Sequence, residues 1–492
     1  MGEDRFGLRG VISIADMARS HGRYLNVALV VSYLFFLLCC AGPIALTVSS
    51  FVLSLVVVFL VARARLCMKG GAEFLLAFPI FVSALQNVPL VLMANQLSVT
   101  TLQLALTYVF AYELVLFVTG LFFAKSISSN ALYTGVMLLV LLIIAALSLL
   151  AGRSTVSFAS VIAALRNFVA PFLFLFAGLV FAKRASLKTL RRMIYVCAWI
   201  VILFGLYEAI IDRGVWTKLG ISVLWPLKGI RVGYDGLPLN FHSSEYIGGM
   251  QVLRMSSTFA DPVNLGAFLF FVFVVAFEDK RRILSILLLV CCVLTISKAA
   301  LLGLLIYAVV KSLLYKRNRI IGIVAIVGAL AAGVGFVLYS FSHSTNSLGL
   351  HLQGFFGSFA VLRTHPFGTG IGSSGTLSVT LLGDSYVSGG TSESGLGIIV
   401  VQLGLFGFLL YVFFFLCLFF WRRKVNMALY LTLLFAIVAN IAFNEVALSP
   451  NSCGPYFLMM GFLLNSKAVF VVHRRGALNG NLRSASACVS SH

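Results

Sequence analysis

The chain is a succession of apolar runs, most of them close to the length that crosses a bilayer, separated by polar connections. Fourteen can be delimited: 25–42, 44–62, 73–94, 102–123, 131–150, 167–182, 193–211, 261–277, 283–297, 299–315, 320–341, 395–421, 427–446 and 455–472. Nothing constrains the fold more. The sequence is 61% hydrophobic and 10% charged, whereas soluble domains run at about 45–50% apolar and about 25% charged. A soluble enzyme is excluded. The expected architecture is an all-α polytopic membrane protein of about 14 transmembrane helices.

The net charge of +21 would suggest nucleic acid in a soluble protein, but its placement argues otherwise. Basic residues gather in short turns: Arg63, Arg65 and Lys69; Lys183, Arg184, Lys188, Arg191 and Arg192; Lys280, Arg281 and Arg282; Lys316, Arg317 and Arg319; Arg422, Arg423 and Lys424; Arg474 and Arg475. This is the positive-inside pattern. With a cytoplasmic N-terminus and alternating spans, all but nine of the 36 Lys and Arg fall inside. The nine are Arg153, Arg166, Arg213, Lys218, Lys228, Arg231, Arg254, Lys298 and Arg363. Both termini are then cytoplasmic, and no basic patch is interleaved with aromatics in the way that grips nucleic acid.

The expected organisation is a cytoplasmic segment 1–24, a single transmembrane domain 25–472 and a cytoplasmic tail 473–492. The polar start is read as no cleavable signal peptide; "RGVISIADMARS" within it suits a short surface helix or a disordered tail equally. Of the nine cysteines, Cys39, Cys40, Cys197, Cys291, Cys292 and Cys417 lie inside apolar runs, and no CxxC occurs, so neither a disulfide framework nor a zinc or redox site is expected. Two outside connections are long, about 212–260 and 342–394, and long connections in a compact protein usually carry function. There is no convincing internal repeat of the kind inverted-repeat transporters show.

Five residues stand out on the expected outer side. Arg254 precedes Asp261-Pro262, a cap and first-turn pair that starts a helix; an interfacial arginine reaching for headgroups is an equal reading, set against the scarcity of arginines on the outer side. Lys298 interrupts about thirty apolar residues in "LTISKAALLGLLI", at a split between two helices. Arg363 and His365 lie in "FAVLRTHPFGTGIGSSG", whose glycines at 368, 370, 372 and 375 imply tight turns. The G-x-G-x-x-G match there is not a dinucleotide site, since no strand precedes it and no suitable acid follows. Glu393 starts the apolar run at 395 and suits either a helix-start carboxylate or a base. Glu113, Glu208 and Glu445 are further acids, candidates for ion pairs within the bundle.

Three fixed cations, Arg254, Lys298 and Arg363, imply a polyanion, most simply a diphosphate, because the guanidinium fork bonds two phosphate oxygens. His365, or failing it Glu393, is the candidate proton acceptor for an attacking hydroxyl. A diphosphate beside a base on the outer side of a membrane points to a polyprenyl-diphosphate-linked sugar donor. No Asp-x-Asp or metal-ligand cluster accompanies these residues, so cations would take a metal's place and no cofactor is expected.

These stretches resemble signatures of the bacterial O-antigen polymerase and ligase superfamily (Wzy and WaaL). "RMSSTFADPVNLGAFLFF" resembles its R-x-x-(G/S)-T-F-x-x-P-N segment, "TISKAALLGLLI" its T-x-S-R-G-A segment, "RTHPFGTGIG" its H-P-x-x-G-x-G loop, and "SESGLGIIVVQLGLFGFLL" its E-L-G segment. The likeness covers roughly residues 245–420. Departures are visible. Lys298 stands where the family often has arginine; Val263 separates Pro262 from Asn264; Gly266 and Gly375 fall one place late for the R-x10-G pattern of the polymerases; Glu393 replaces the ligases' His-Asn element. The resemblance implies a GT-C-type bundle that polymerises undecaprenyl-diphosphate-linked oligosaccharides at the periplasmic face of the inner membrane, alongside a flippase and a chain-length regulator. Arg254 and Arg363 would hold the diphosphate with Lys298 assisting. A ligase acting on lipid A core or protein is the alternative of the same class, and a polysaccharide or lipid transporter that of another.

Overall fold

The computed structural model describes residues 71–123, 127–151, 158–247, 250–314, 347–375, 394–422 and 426–465, with scattered helical positions between 323 and 339. The expected spans 25–42 and 44–62, segments 1–24 and 473–492, most of 320–341, and Glu393 lie outside the described residues. The protein is a mostly helical membrane protein with very little sheet.

Among the described residues, six helical stretches are long and apolar enough to cross a membrane. They comprise α1 (Gly71–Leu85) with α2 (Asn87–Leu92), α3 (Val99–Phe123), α4 (Ser129–Ala151), α5 (Phe158–Phe181), α6 (Leu187–Leu206), and α13 (Gly395–Trp421). α7 (Val215–Leu219) and α8 (Ile221–Leu227) are short. α9 (Pro262–Glu278), α10 (Arg282–Leu294), α11 (Lys298–Leu314), α12 (Ser347–Val361), α14 (Met427–Phe443) and α15 (Pro450–Asn465) complete the bundle. α9 and α15 are buried almost all round at the centre, while α4 and α13 turn many large apolar side chains outward, as lipid-facing helices do.

The closest helix pair is α5 with α15. A Cβ on Gly178 would stand 2.2 Å from the Leu458 carbonyl oxygen, and one on Gly461 would stand 2.2 Å from that of Leu175. Bare glycines on both sides let the two backbones touch, the way apolar helices associate where lipid offers no hydrophobic contrast.

Several expected boundaries hold closely: 395–421 is α13, and the split at Ser297-Lys298 separates α10 from α11 through Ile296, at φ 47°. One expected boundary is corrected, and two expected long connections prove to contain secondary structure. The run 167–182 begins earlier, at Phe158, so Arg166 lies inside a helix and not in a turn. The long connection 342–394 contains the helix α12, whose rings pack on the bundle, Phe355 against Phe443 and Phe359 against Phe408; its Gly, Ser, His and Gln positions broke the apolar run. The described residues of the long connection 212–260 form a cap on the bundle. It carries α7, α8 and an antiparallel hairpin of β1 (His242–Ile247) and β2 (Met250–Leu253).

The cap has its own core. Trp216, Ile221, Leu224, Trp225 and Phe241 pack onto Leu90 and Val91 of α2 and Ala94 just beyond it. Each fully buried aliphatic side chain contributes about 1.5–3 kcal/mol where the alternative is water. At the opposite, basic end of the bundle, Arg191 on α6 pairs with Asp279, which also accepts from Tyr195 at 2.6 Å. Lys311 pairs with Glu278 there.

Candidate functional site

The stretch 254–264 is held from four sides. Glu208, in a π-helical turn (Tyr207–Ile211) that ends α6, accepts from the Ser256 N–H at 3.2 Å, the Ser256 hydroxyl at 2.7 Å and the Ser257 N–H at 2.6 Å. The Ser257 hydroxyl donates to the Val201 carbonyl at 2.6 Å. Ser257 (φ 46°) and Ala260 (φ 49°) are both left-handed, a conformation that costs non-glycine residues energy and persists only where surroundings enforce it. The Met255 N–H donates to the last carbonyl of α10, on Leu294, at 3.0 Å.

Arg254 is half-buried inside this frame. Its Nε donates to the Thr295 carbonyl at 2.8 Å and one terminal nitrogen donates to the Asn240 carbonyl at 3.1 Å. It therefore ties the cap to the C-terminal end of α10, where a cation is favoured by the helix dipole. The arginine expected from sequence to hold a diphosphate or reach for headgroups also has a structural task.

Asp261 caps α9 as expected, accepting from the N–H groups of Val263 at 3.2 Å and Asn264 at 3.3 Å. It further accepts from the side chains of Asn240, at 3.0 Å, and Asn264. The Ser449 hydroxyl donates to the side-chain amide oxygen of Asn264 at 3.2 Å. The hydrogen-bonded frame thus runs from Arg254 through Asn240, Asp261 and Asn264 to the connection between α14 and α15.

Lys228 is the cation that sequence reasoning passed over. It donates to Asn87 at 2.9 Å and lies 4.4 Å from the centre of the Trp225 ring. Asn87 in turn donates to the Phe259 carbonyl. Burial pushes the Lys228 pKa down to about 8, with Asp261 opposing and Arg166 adding to the fall. The signal was available: Lys228 is one of the nine cations on the side where positive charge is scarce, the same argument that singled out Arg254. Arg166 is another of the nine, and its partner is Glu113, at 3.3 Å, one of the acids left unpaired by the sequence.

The sign for Lys228 follows from the direction. A folded-state pKa below the ordinary lysine value means that between about pH 8 and that value the unfolded chain holds a proton the folded chain has released. Stability then rises with pH across the interval, and the cost of the charged form is fully present below about pH 8. Thermal unfolding of the wild type at pH 7 and pH 9.5 is expected to show this gain, and Lys228→Met is expected to lack it. Parallel pH profiles for the two proteins would show that Lys228 titrates normally.

Lys298 is the first residue of α11, three residues beyond the Thr295 carbonyl that Arg254 holds, so these two cations share the α10–α11 turn. Arg363 and His365 are elsewhere. Both are exposed in the turn after α12, and the His365 Nδ1 sits 2.9 Å from the Thr364 hydroxyl. No described contact joins them to Arg254 or Lys298.

The glycine-rich stretch after His365 is built into a broken helix. α13 loses helical geometry at Gly404 (φ 66°, ψ −161°). The backbone groups freed there are taken up by the loop: Thr369 N–H donates to the Val401 carbonyl at 2.8 Å, and Leu405 N–H donates to the Pro366 carbonyl at 2.9 Å. Gly368 is required, because a Cβ would stand 2.4 Å from the Gln402 carbonyl oxygen. Gln402 closes the joint by donating to the Ser374 carbonyl at 2.7 Å and accepting from the Gly372 N–H at 2.8 Å. Irregular backbone within an apolar helix is tolerated where protein satisfies it in this way.

Behind that joint lies a small cavity whose polar lining is Ser160, Asn167, Ser374, Gln402 and Glu445, with Gly372 and the apolar Ala164, Phe168, Ile398 and Leu448 completing its wall. Glu445 opens the 3-10 turn Glu445–Leu448 between α14 and α15, which leads directly into Ser449. The two motif-bearing regions, 254–264 and 366–375, therefore flank the same short connection.

No protein-family model matches this chain, and no curated protein matches it.

Proposed function

We propose that this protein is a membrane-embedded glycosyltransferase that polymerises undecaprenyl-diphosphate-linked oligosaccharide repeats into O-antigen, capsule or exopolysaccharide. In this reading it has about fourteen spans in a GT-C-type bundle, in the bacterial inner membrane, with both termini cytoplasmic and the cap facing the periplasm. A flippase and a chain-length regulator would be its partners. The observation that carries the reading is the cation set at the cap end: Arg254 pinned between two backbone carbonyls, Lys298 opening the adjacent helix, and Lys228 in the cap above Asn87. Positive charge fixed at that end suits a diphosphate whose charge grows as the glycosidic bond to it breaks. Arg363, exposed in the turn after α12, would meet the glycan or headgroups, or the diphosphate where the donor reaches both regions.

The direct test reconstitutes the purified protein in liposomes with undecaprenyl-diphosphate-linked oligosaccharide. A ladder of longer lipid-linked products supports polymerisation. Transfer only when lipid A core is supplied would make it a ligase. A transporter is the second reading, favoured by the break in α13, since discontinuous helices are common in transporters. Movement of labelled lipid-linked sugar across the bilayer without chain growth would establish it.

Sidedness is tested separately. Tyr234 in the cap is fully exposed, and Tyr234→Cys in a cysteine-free background is expected to react with a membrane-impermeant thiol reagent from the periplasm. Arg184→Cys, in the basic turn before α6, is expected to react only after the inner membrane is permeabilised. The reverse pattern would invert the topology.

A further inference from the structure

We propose that Glu445 accepts the proton of the attacking sugar hydroxyl; the proposal rests on the polymerase reading. Glu445 is the ionisable side chain among the six polar and glycine residues lining the cavity behind the α13 joint. Gln402 cannot take that part, since a carboxamide is not basic, and its oxygen and nitrogen hold the loop. The cavity volume is about 20 Å³, which holds one water or hydroxyl group and no sugar ring. Ser160, Ser374 and Asn167 add polar groups to the lining, and Ala164, Phe168, Ile398 and Leu448 make the rest of the wall apolar, a mixed surface that suits a sugar hydroxyl and its carbon.

The loop is shaped around the carboxylate. Gly375 lies at φ +96°, and a Cβ there would stand 2.6 Å from the Glu445 Oε1, so the last glycine of the loop leaves the space the carboxylate fills. The turn bearing Glu445 is fixed on both sides. Asn444 caps it by accepting from the Val446 N–H at 3.1 Å. Ser449 closes it by donating its N–H to the Val446 carbonyl at 3.0 Å, and its hydroxyl bonds Asn264. Asn264 belongs to the frame that reaches Arg254 through Asp261 and Asn240. Carboxylate and cation are thus mounted on one connected structure, whereas His365 is exposed and lies outside that frame.

In the step, the acceptor O–H bond breaks and its proton passes to the Glu445 carboxylate. The acceptor oxygen forms the new bond to the anomeric carbon of the donor. The bond from that carbon to the diphosphate oxygen breaks, and the diphosphate departs with the electron pair. No oxidant, reductant or further reactant is needed.

The test uses full-length protein in liposomes with undecaprenyl-diphosphate-linked oligosaccharide. A general base contributes about 10²- to 10⁴-fold, so Glu445→Gln is expected to lower the limiting rate by that factor, with unfolding temperature and donor affinity unchanged. Added formate is expected to restore part of the rate to Glu445→Ala, an effect no purely structural role would produce. His365→Ala is expected to stay within tenfold of wild type. Should Glu445→Gln fail to accumulate, Glu445→Asp decides: a loss of tenfold or more in limiting rate with donor affinity kept supports the assignment. Near-normal rates in Glu445→Gln or Glu445→Asp overturn it, as does a large loss in His365→Ala without one in Glu445→Gln. A wild-type protein that extends no chain removes the polymerase reading itself, an outcome distinct from all of these.

Discussion

Arg254→Ala is expected to abolish chain growth and to lower the unfolding temperature as well. Two effects combine in one residue. The guanidinium is the best-fixed cation at the cap end, and its loss removes the proposed hold on the diphosphate. It also removes two charge-assisted bonds, to the carbonyls of Thr295 and Asn240, each worth about 1.5–3 kcal/mol when a charged group is involved. Arg254→Lys separates the two. A single ammonium cannot serve two carbonyls lying in different directions and a phosphate as well. It is expected to keep the protein folded, with intermediate stability and a small remnant of activity. Chain growth measured beside thermal unfolding reads both. Full chain growth in Arg254→Ala would remove the diphosphate role, and an unchanged unfolding temperature would remove the structural one.

The second large effect is expected at Gly178. Its Cβ position falls 2.2 Å from the Leu458 carbonyl oxygen and 2.8 Å from the Phe462 nitrogen. Both obstacles are backbone, so no side chain can swing aside. Even Gly178→Ala must push α5 away from α15, and these helices form the centre of the bundle against which α9 also packs. Overpacking a close contact costs about 1–3 kcal/mol, more where the backbone must move. Gly178→Val is expected to yield little monodisperse protein in detergent, and Gly178→Ala to unfold at a clearly lower temperature. Gly357 in α12 is the control: nothing lies near its Cβ position, and Gly357→Ala is expected to be neutral or stabilising by about 0.5–1 kcal/mol. Equal stability for Gly178→Ala and Gly357→Ala would mean that the two helices do not approach so closely.

These two residues also mark where sequence reading stopped. Arg254 was visible because it sits beside a helix start on the side where cations are scarce. Its partners were not, because the Asn240 and Thr295 carbonyls belong to other segments and carry no signal of their own. Gly178 was one small residue in an apolar run; only the approach of α15, nearly three hundred residues on, gives it a role. His365 drew attention through residue type and a neighbouring arginine, yet its side chain is exposed. Glu445 was noted as a candidate for an ion pair within the bundle, and it lines the cavity behind the loop that His365 precedes.

The sequence by itself determined the membrane class, most helix boundaries and the start of α9, because each depends on residues within a turn or a span. Apolar length sets a transmembrane helix; Asp261 and Pro262 set a cap; Lys298 ends one run and begins another. Only the tertiary structure decided what the polar residues inside that frame do. Arg166 finds Glu113 53 residues earlier, Glu208 finds Ser256, and the break at Gly404 is closed by a loop from before α13. A buried polar group must be satisfied, so its partner is certain to exist, but apolar segments of equal hydropathy are interchangeable in sequence. Which of them becomes a neighbour is settled by the fit of backbone against backbone, as between Gly178 and Leu458, and that fit brings the polar partners together.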